Sequence, residues 1–411
     1  MKNKLFIGLA LGACALSLAS CDKKKNLGSY DVKVTDIDGE VVFEKNLKIK
    51  KDKNILDNLE KVTDVVVSDG MVKSIAGSVV DSNYYLAIYE NGEYSQVGAT
   101  EIELNDGDSI EFKVECWNTK ESGYGTLDET DILVDKAIYG YAKNYLNDSV
   151  SDAEDYASAS FWSYMLVNTA KSLGYDSNVF TLDANTKVVE SLNNETFENI
   201  SSIQNWGKYY YAAKAYDVSL DTYKVKYQEY IDTVQTTYNE NYSEYSIPFA
   251  IAPAKTLNIK SDNLETLVST TYRASTTYGV DALAWELTVL GLYGKIEASE
   301  LSSMTVSIET SDEYDLNYAK IGEYNNATST ALKLLPYAAL GENVRDSKYE
   351  NSDGKDLVEL LMDTFYDSTS NVIKYRDDKD FSIEYSTNQI YASLFTYKAV
   401  RDKGEAVNIF A

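Results

Sequence analysis

From Asp131 to Ala411 the sequence follows a helical period with little to interrupt it. All three prolines of the chain fall in this stretch, and hairpin signals are few. Six segments rich in alanine or leucine recur, around Ala157–Ala170, Trp206–Ala215, Ile247–Leu257, Asp281–Tyr293, Ala327–Leu340 and Thr387–Arg401. Between them lie more amphipathic segments: Asp131–Leu146, Asp183–Leu192, Tyr223–Tyr238, Asn263–Ser275, a weak one around Glu300–Ile308, and Asp356–Thr364. A helix covered on all sides has no polar face, whereas a helix with one wet side keeps one. Six of each, in alternation, predict a closed two-layer barrel of helix pairs. Ala282, Ala284, Ala327 and Ala331 let inner helices approach closely.

The first part of the chain obeys a different period. Tyr30–Asp36 alternates as a strand, Asp38-Gly39 turns, and Val41–Glu44 returns. Asn54 opens a short helix with Ile55, Leu59 and Val62 on one face. Tyr84–Tyr89 is a strand, and Asn91-Gly92 is the pair that a type I′ hairpin demands. In the last strand, Ser109–Cys116, even positions are apolar, so Cys116 is expected as a small buried hydrophobe and not a reactive thiol. The expected fold class is α+β with two domains: a small sheet domain with one helix over 30–117, a polar, glycine-bearing hinge over 118–130, and an all-α domain over 131–411.

The extreme N-terminus is neither. Lys2 and Lys4 precede an apolar run from Leu5 to Leu18, the layout of a secretory signal. Leu18-Ala19-Ser20-Cys21 resembles the lipobox of bacterial lipoproteins. That resemblance implies cleavage after residue 20, lipidation of Cys21, a tether over 21–29, and a location on the extracellular face of the membrane. Lys23, Lys24 and Lys25 in the tether add a weak contact to anionic headgroups.

Composition removes several functions. The formal net charge is −27, which opposes nucleic-acid binding. There is no histidine, so Ser-His-Asp hydrolysis and His-ligated metal chemistry are excluded. With Cys14 in the signal and Cys21 lipidated, only Cys116 remains, and no intrachain disulfide is expected. Tyrosine is over-used, 35 against 11 Phe and 4 Trp. Tyrosine suits either stacking on planar ligands or core filling.

Gly70–Gly77, Tyr84-Tyr85, Tyr89-Glu90-Asn91-Gly92, Gly98-Ala99 and Leu104–Asp108 resemble the C-terminal β-domain of transcobalamin and intrinsic factor, and the bacterial lipoprotein domains related to it. This implies a β-grasp-like sheet. The segments Asp281–Leu287, Asn326–Tyr337 and Ser386–Ala392 resemble the α/α toroids of terpenoid cyclases, prenyltransferases and the cobalamin carriers. This implies an (α/α)6 toroid. The Asp clusters and zinc ligands of the catalytic members have no counterpart, so a binding cup is expected, with no catalytic residue, metal or cofactor assigned.

The resemblance implies a lipid-anchored binding protein that captures cobalamin or a related corrinoid between its domains and hands it to a membrane transporter. Here the sheet domain comes first, the reverse of the carriers' order. Expected ligand contacts are Tyr84, Tyr85, Tyr89 and Asn91 from the sheet domain, and Tyr156, Trp206, Tyr278, Asp281, Thr328, Asn388 and Gln389 from inner-helix starts. Helix capping alone explains Asp281, Thr328 and Thr387 equally well. A surface glycan-binding or adhesion protein is the alternative, and a polysaccharide-acting toroid enzyme ranks behind it.

Overall fold

The computed structural model describes residues 27–68, 70–78, 81–123, 125–175, 178–198, 200, 203–234, 247–271, 280–301, 316–321, 324–378 and 385–411. Cys21, the tether lysines and Tyr278 lie outside the described residues.

Strand β1 (Ser29–Thr35) pairs antiparallel with β2 (Val41–Lys48). Helix α1 (Ile55–Leu59) starts at Asn54, whose side chain accepts from the Asp57 amide while Asp57 reaches back to the Asn54 amide. A ribbon of β3 (Val65–Ser68) and β4 (Met71–Ile75) follows. Then come β5 (Tyr84–Glu90), β6 (Glu93–Tyr94) and β7 (Ser109–Cys116), and the sheet order is β2-β1-β7-β5-β6. First and last strands lie side by side and parallel, Val32 opposite Ile110 and Val34 opposite Phe112. That order is β-grasp-like. Asn91 and Gly92 both take positive φ, 52° and 86°, as the type I′ turn requires. Alternation buries Ile110, Phe112 and Val114 of β7 beside Val32 and Val34, with Ile55 and Leu59 in the same core.

The helical region begins with α2 (Glu129–Asn144) and the single turn α3 (Asp148–Ser151). It continues with α4 (Phe161–Ser172), α5 (Thr186–Asn193), α6 (Ile203–Ala215), α7 (Asp221–Thr233), α8 (Ile247–Thr256), α9 (Asp262–Thr271) and α10 (Val280–Leu292). After α10 the chain is helical again over 298–301, where the described residues stop. The short ribbon β8 (Ala319–Ile321) with β9 (Tyr324–Asn326) leads into α11 (Ala327–Leu332) and α12 (Leu334–Ala339). Next are α13 (Leu357–Phe365), a second ribbon of β10 (Tyr366–Asp367) with β11 (Val372–Ile373), and α14 (Tyr385–Lys403). Pro336 explains why α11 and α12 are two pieces: without an N–H it cannot bond the Leu332 carbonyl, and its ring crowds it.

Among the described residues, six inner elements close a ring. Helix α4 packs on α6, α6 on α8, α8 on α10, α10 on α12, α12 on α14, and α14 back on α4. Helices α2, α5, α7, α9 and α13 lie outside it, each against inner neighbours. Among the described residues the helical region thus has the two layers expected, downstream of a mixed sheet; the weak outer segment expected around Glu300–Ile308 lies outside the described residues from residue 302 onward.

Tyrosine builds this core. Tyr30, Tyr139, Tyr141, Tyr164, Tyr210, Tyr211, Tyr223, Tyr227 and Tyr391 are all essentially fully buried. Cys116 ends β7 half-buried and free of any disulfide, and burial pushes its thiol up to about 11.

The described residues of the segment expected as a hinge are held by hydrogen bonds. Residues Lys120–Ser122 form a 3-10 turn, Thr119 bridges Leu127, and the Asn118 side chain accepts from the Thr126 amide at 2.9 Å. Asn118 also donates to Asn83 at 2.9 Å. At the far end Asp128 caps α2 and pairs with Arg345 at 2.6 Å. A loop whose polar groups are bonded to both of its neighbours has little freedom left to swing.

Candidate functional site

The two domains meet along α2 and the C-terminal half of α14, and charge does the joining. Lys398 and Arg401 come from α14, Asp131 and Asp135 from α2, and Asp81 and Tyr84 from the sheet domain. Lys398 Nζ donates to Asp81 at 2.8 Å and to Asp402 at 2.7 Å. Arg401 grips both oxygens of Asp135 with one nitrogen, at 2.7 and 2.9 Å, and Tyr84 donates its hydroxyl to Asp135 at 2.8 Å. Tyr139 donates to Asp81, Tyr175 and Asn83 donate to Asp402, and Tyr397 donates to Asp131. The Lys398 side chain and that of Asp135 have no solvent exposure at all. Burial, the largest single influence on Lys398, opposes its charge. The carboxylates of Asp135 and Asp81 and the hydroxyl of Tyr139 outweigh it and hold the pKa well above the usual lysine range. Unpaired, such a charge would not stay in this interior.

Beside this network, where the β1–β2 turn faces the C-terminal end of α2, the domains leave a cleft. Its volume is about 450 Å³. Asp36, Asp38, Val42 and Gly77 come from the sheet domain, and Tyr139, Lys143, Asn144 and Asp148 from the helical one. Asn147, Asn178, Thr181 and Asp183 add further polar wall, and Ile37, Ala76, Ala142 and Val179 complete it. The turn folds this way because Gly39 takes a φ of 89° and the Glu40 amide donates to both Asp36, at 2.9 Å, and Asp38, at 3.2 Å. Those bonds aim three carboxylates at Lys143, whose Nζ lies 2.5 Å from Asp36, 2.8 Å from Glu40 and 3.9 Å from Asp38. Asn371 locks the turn from the other side, donating to the Asp38 carbonyl at 2.8 Å.

Asp36, Asp38 and Glu40 have a metal-like spacing, but the Lys143 ammonium supplies the cation they share. Burial, then the hydrogen bond and charge of Asp36, push the Asp38 carboxyl up to about 7, with Lys143 pulling the other way. Burial disfavours the Lys143 charge, and the paired Asp36 and Glu40 more than offset it, so its pKa rises. The polar part of the cleft is thus acceptors and amides, with one ammonium already engaged, while Ile37, Val42, Ala76, Ala142 and Val179 supply an apolar part. It suits a neutral or cationic guest that donates hydrogen bonds.

None of the described residues expected as ligand contacts lines this cleft. Tyr84 is buried and spends its hydroxyl on Asp135. Tyr85 points to the other face of β5 and is half-buried. Tyr89 donates to Glu115 at 2.8 Å and packs edge-on against Tyr94. Asn91 holds its own turn, accepting from the Ser109 amide at 2.9 Å. Tyr156 and Trp206 belong to an aromatic core between α5, α6 and α7. There Tyr156 bonds Glu195 at 2.9 Å, and Trp206 stacks on Tyr230 with ring centroids 4.8 Å apart. Asp281 and Thr328 sit in the first turns of α10 and α11 and are not caps. Asn326 caps α11 and takes the Thr328 amide at 2.8 Å. Asn388 is buried and accepts from Tyr141, and Gln389 beside it is half-buried. An aromatic at an inner-helix start is wanted by the core first, because each removes a large apolar area from water.

The sequence does carry a sign of the inter-domain network. Lys398 and Arg401 interrupt the apolar run of α14 on faces that the ring must bury, and a buried charge demands partners. Nothing in the local sequence marks Asp36 and Asp38 as neighbours of Lys143.

Residues 52–115 match a family model described as a domain of unknown function, DUF4430, which spans α1 to β7 of the sheet domain. No curated protein matches this sequence.

Proposed function

We propose that this chain is a membrane-anchored extracellular ligand-binding protein. On this reading Cys21 carries the anchor, and the ligand enters the cleft between the sheet domain and the toroid. One observation carries the proposal: the cleft of about 450 Å³ draws its polar wall from both domains. Pockets of roughly 300–1,000 Å³ between domains are where small molecules are commonly held.

The ligand class we favour is a corrinoid such as cobalamin, presented edge-on. A corrinoid is larger than this cleft, but its rim is a set of carboxamide arms. Each arm offers N–H donors and a carbonyl acceptor. Asp36, Asp38, Asp148 and Asp183 can accept from such arms, Asn144 can do both, and Lys143 can donate to a carbonyl. With no histidine in the chain, the protein offers cobalt no imidazole. Recognition therefore falls on the rim. The resemblance of the sheet domain and toroid to the cobalamin carriers supports the same class.

The test is calorimetric titration of the full mature chain with cobalamin and with a corrinoid lacking the nucleotide loop. We expect saturable one-to-one binding. Asn144→Ala and Asp148→Asn should each weaken it several-fold without moving the thermal midpoint. Absence of saturable binding for every corrinoid tried would remove the ligand class. Binding untouched by both substitutions would remove the cleft.

A further inference from the structure

We propose that the corner of the sheet domain where the chain enters the fold is a lipid-facing surface, with Lys48, Lys50 and Lys51 set against anionic headgroups. This rests on the reading that Cys21 is anchored. The carrying juxtaposition is between the strand that leaves the anchor and a run of lysines from elsewhere in the sequence. Ser29 lies opposite Lys48 in the β1–β2 pair, and the Gly28 carbonyl accepts from the Ile49 amide at 3.0 Å. Lys48, Lys50, Lys51 and Lys53 are therefore delivered to the same corner as the tether, and all four are exposed. The turn that presents them is closed by the Lys53 amide bonding the Lys50 carbonyl, with Asp52 at a φ of 59°.

Lysines cluster at this corner, beside the carboxylate of Asp106, which accepts from the Ser29 amide at 2.8 Å. The chain carries a net −27, so its surface as a whole is repelled by an anionic membrane. Among the described residues, Lys53 pairs with Asp57 at 3.1 Å, whereas Lys48, Lys50 and Lys51 have no ion pair. Exposed lysines elsewhere, Lys224 among them, also lack an ion pair among the described residues; Lys48, Lys50 and Lys51 differ in standing together where the chain enters the fold. Lys23, Lys24 and Lys25 precede them along the tether.

Geometry brings the corner within range. Seven residue steps separate Cys21 from Gly28. They reach about 25 Å when fully extended and about 15 Å as a flexible chain. The surface potential of anionic lipid acts over about one Debye length, roughly 8–10 Å in physiological salt. An anchor this short keeps the corner sampling that layer. Attraction there and repulsion elsewhere act together to turn this corner toward the bilayer.

Lysine footprinting reads the orientation directly. The lipidated full chain is placed in vesicles of phosphatidylcholine alone, or of phosphatidylcholine with phosphatidylglycerol, treated with an amine-reactive acylating reagent, and mapped by mass spectrometry. We expect Lys48, Lys50 and Lys51 to react several-fold more slowly in the anionic vesicles. Exposed Lys224 on α7 should react equally in both. The protection should vanish in about 1 M salt, where the Debye length falls to about 3 Å. Equal rates in the two vesicles overturn the proposal. The same spectra report the mass of the N-terminal peptide, so loss of the anchor reading is seen separately. In that case the unlipidated chain is added to both vesicles, and equal rates at the three lysines again overturn the lipid-facing surface.

Discussion

The hydroxyl of Tyr84 on the sheet domain and the carboxylate of Asp135 on α2 meet at 2.8 Å, both out of reach of water. Arg401 holds the same carboxylate from α14. One side chain of the small domain is thus wired into the charge network of the large one, and the two domains are expected to unfold together. Tyr84→Phe keeps the ring and deletes one hydrogen bond to a charged partner, so it should cost about 1.5–3 kcal/mol in urea unfolding. Two separate transitions in the wild-type chain, one per domain, would contradict this.

Lys398 holds the centre of that network. Lys398→Met keeps much of the volume and leaves Asp81, Asp135 and Asp402 short of a cation. A loss of about 3–5 kcal/mol is expected, because breaking a buried pair strands the remaining charge. A loss below about 1 kcal/mol, the size typical of a surface pair, would mean that water reaches these residues.

Arg345 joins two helix starts. It pairs with Asp128, the N-cap of α2, at 2.6 Å and with Asp356, the N-cap of α13, at 3.0 Å, and it reaches Glu359 at 3.1 Å. Its side chain is only 11% exposed. Arg345→Leu should destabilise by about 3–5 kcal/mol by the same reasoning. Arg345→Lys should recover only part of that, since an ammonium cannot match the fork of contacts. Full recovery by lysine would show that charge alone matters at this site.

Asp38 makes the cleft sensitive to pH. Its carboxyl is raised by burial and by Asp36 to about 7. A group that binds its proton more tightly folded than unfolded stabilises the fold most below its unfolded pKa, near 4 for Asp. That contribution is lost as pH climbs through about 7. Stability from this residue should therefore fall between about pH 4 and pH 7, and Asp38→Asn should flatten that part of the profile and be the more stable form above it. Parallel urea midpoints for the two proteins across this range would refute the assignment.

Asn91 separates a turn role from a ligand role. It sits at a φ of 52°, accepts from the Ser109 amide and donates to Asp108 at 3.1 Å. Asn91→Ala should cost about 1–2 kcal/mol from the strained φ alone. Asn91→Gly should be milder because glycine adopts the conformation freely. Ligand affinity should follow neither change, since this turn lies away from the cleft.

Much of the fold was legible because its signals are local. The alternation of β7, the Asn91-Gly92 turn and the apolar inner helices follow from which faces of each element meet water, and each can be read over a few residues. At α11 the cap is Asn326, two residues before Thr328. Asn326 outcompetes Thr328 there because its side chain reaches both the Thr328 and Ser329 amides. The described candidate contacts lie apart from one another for a related reason. Tyr156 and Trp206 carry both an apolar ring and a polar tip, and sequence alone does not say which of the two the fold uses.

The sequence by itself determined the two periods, the two domains and the order of helices, because backbone preference and burial pattern act at short range. Only the tertiary structure decided that Asp36 and Asp38 would face Lys143, and that Asp81 would face Lys398. Coulomb attraction and desolvation depend on where packing brings distant residues together, and no local pattern records that.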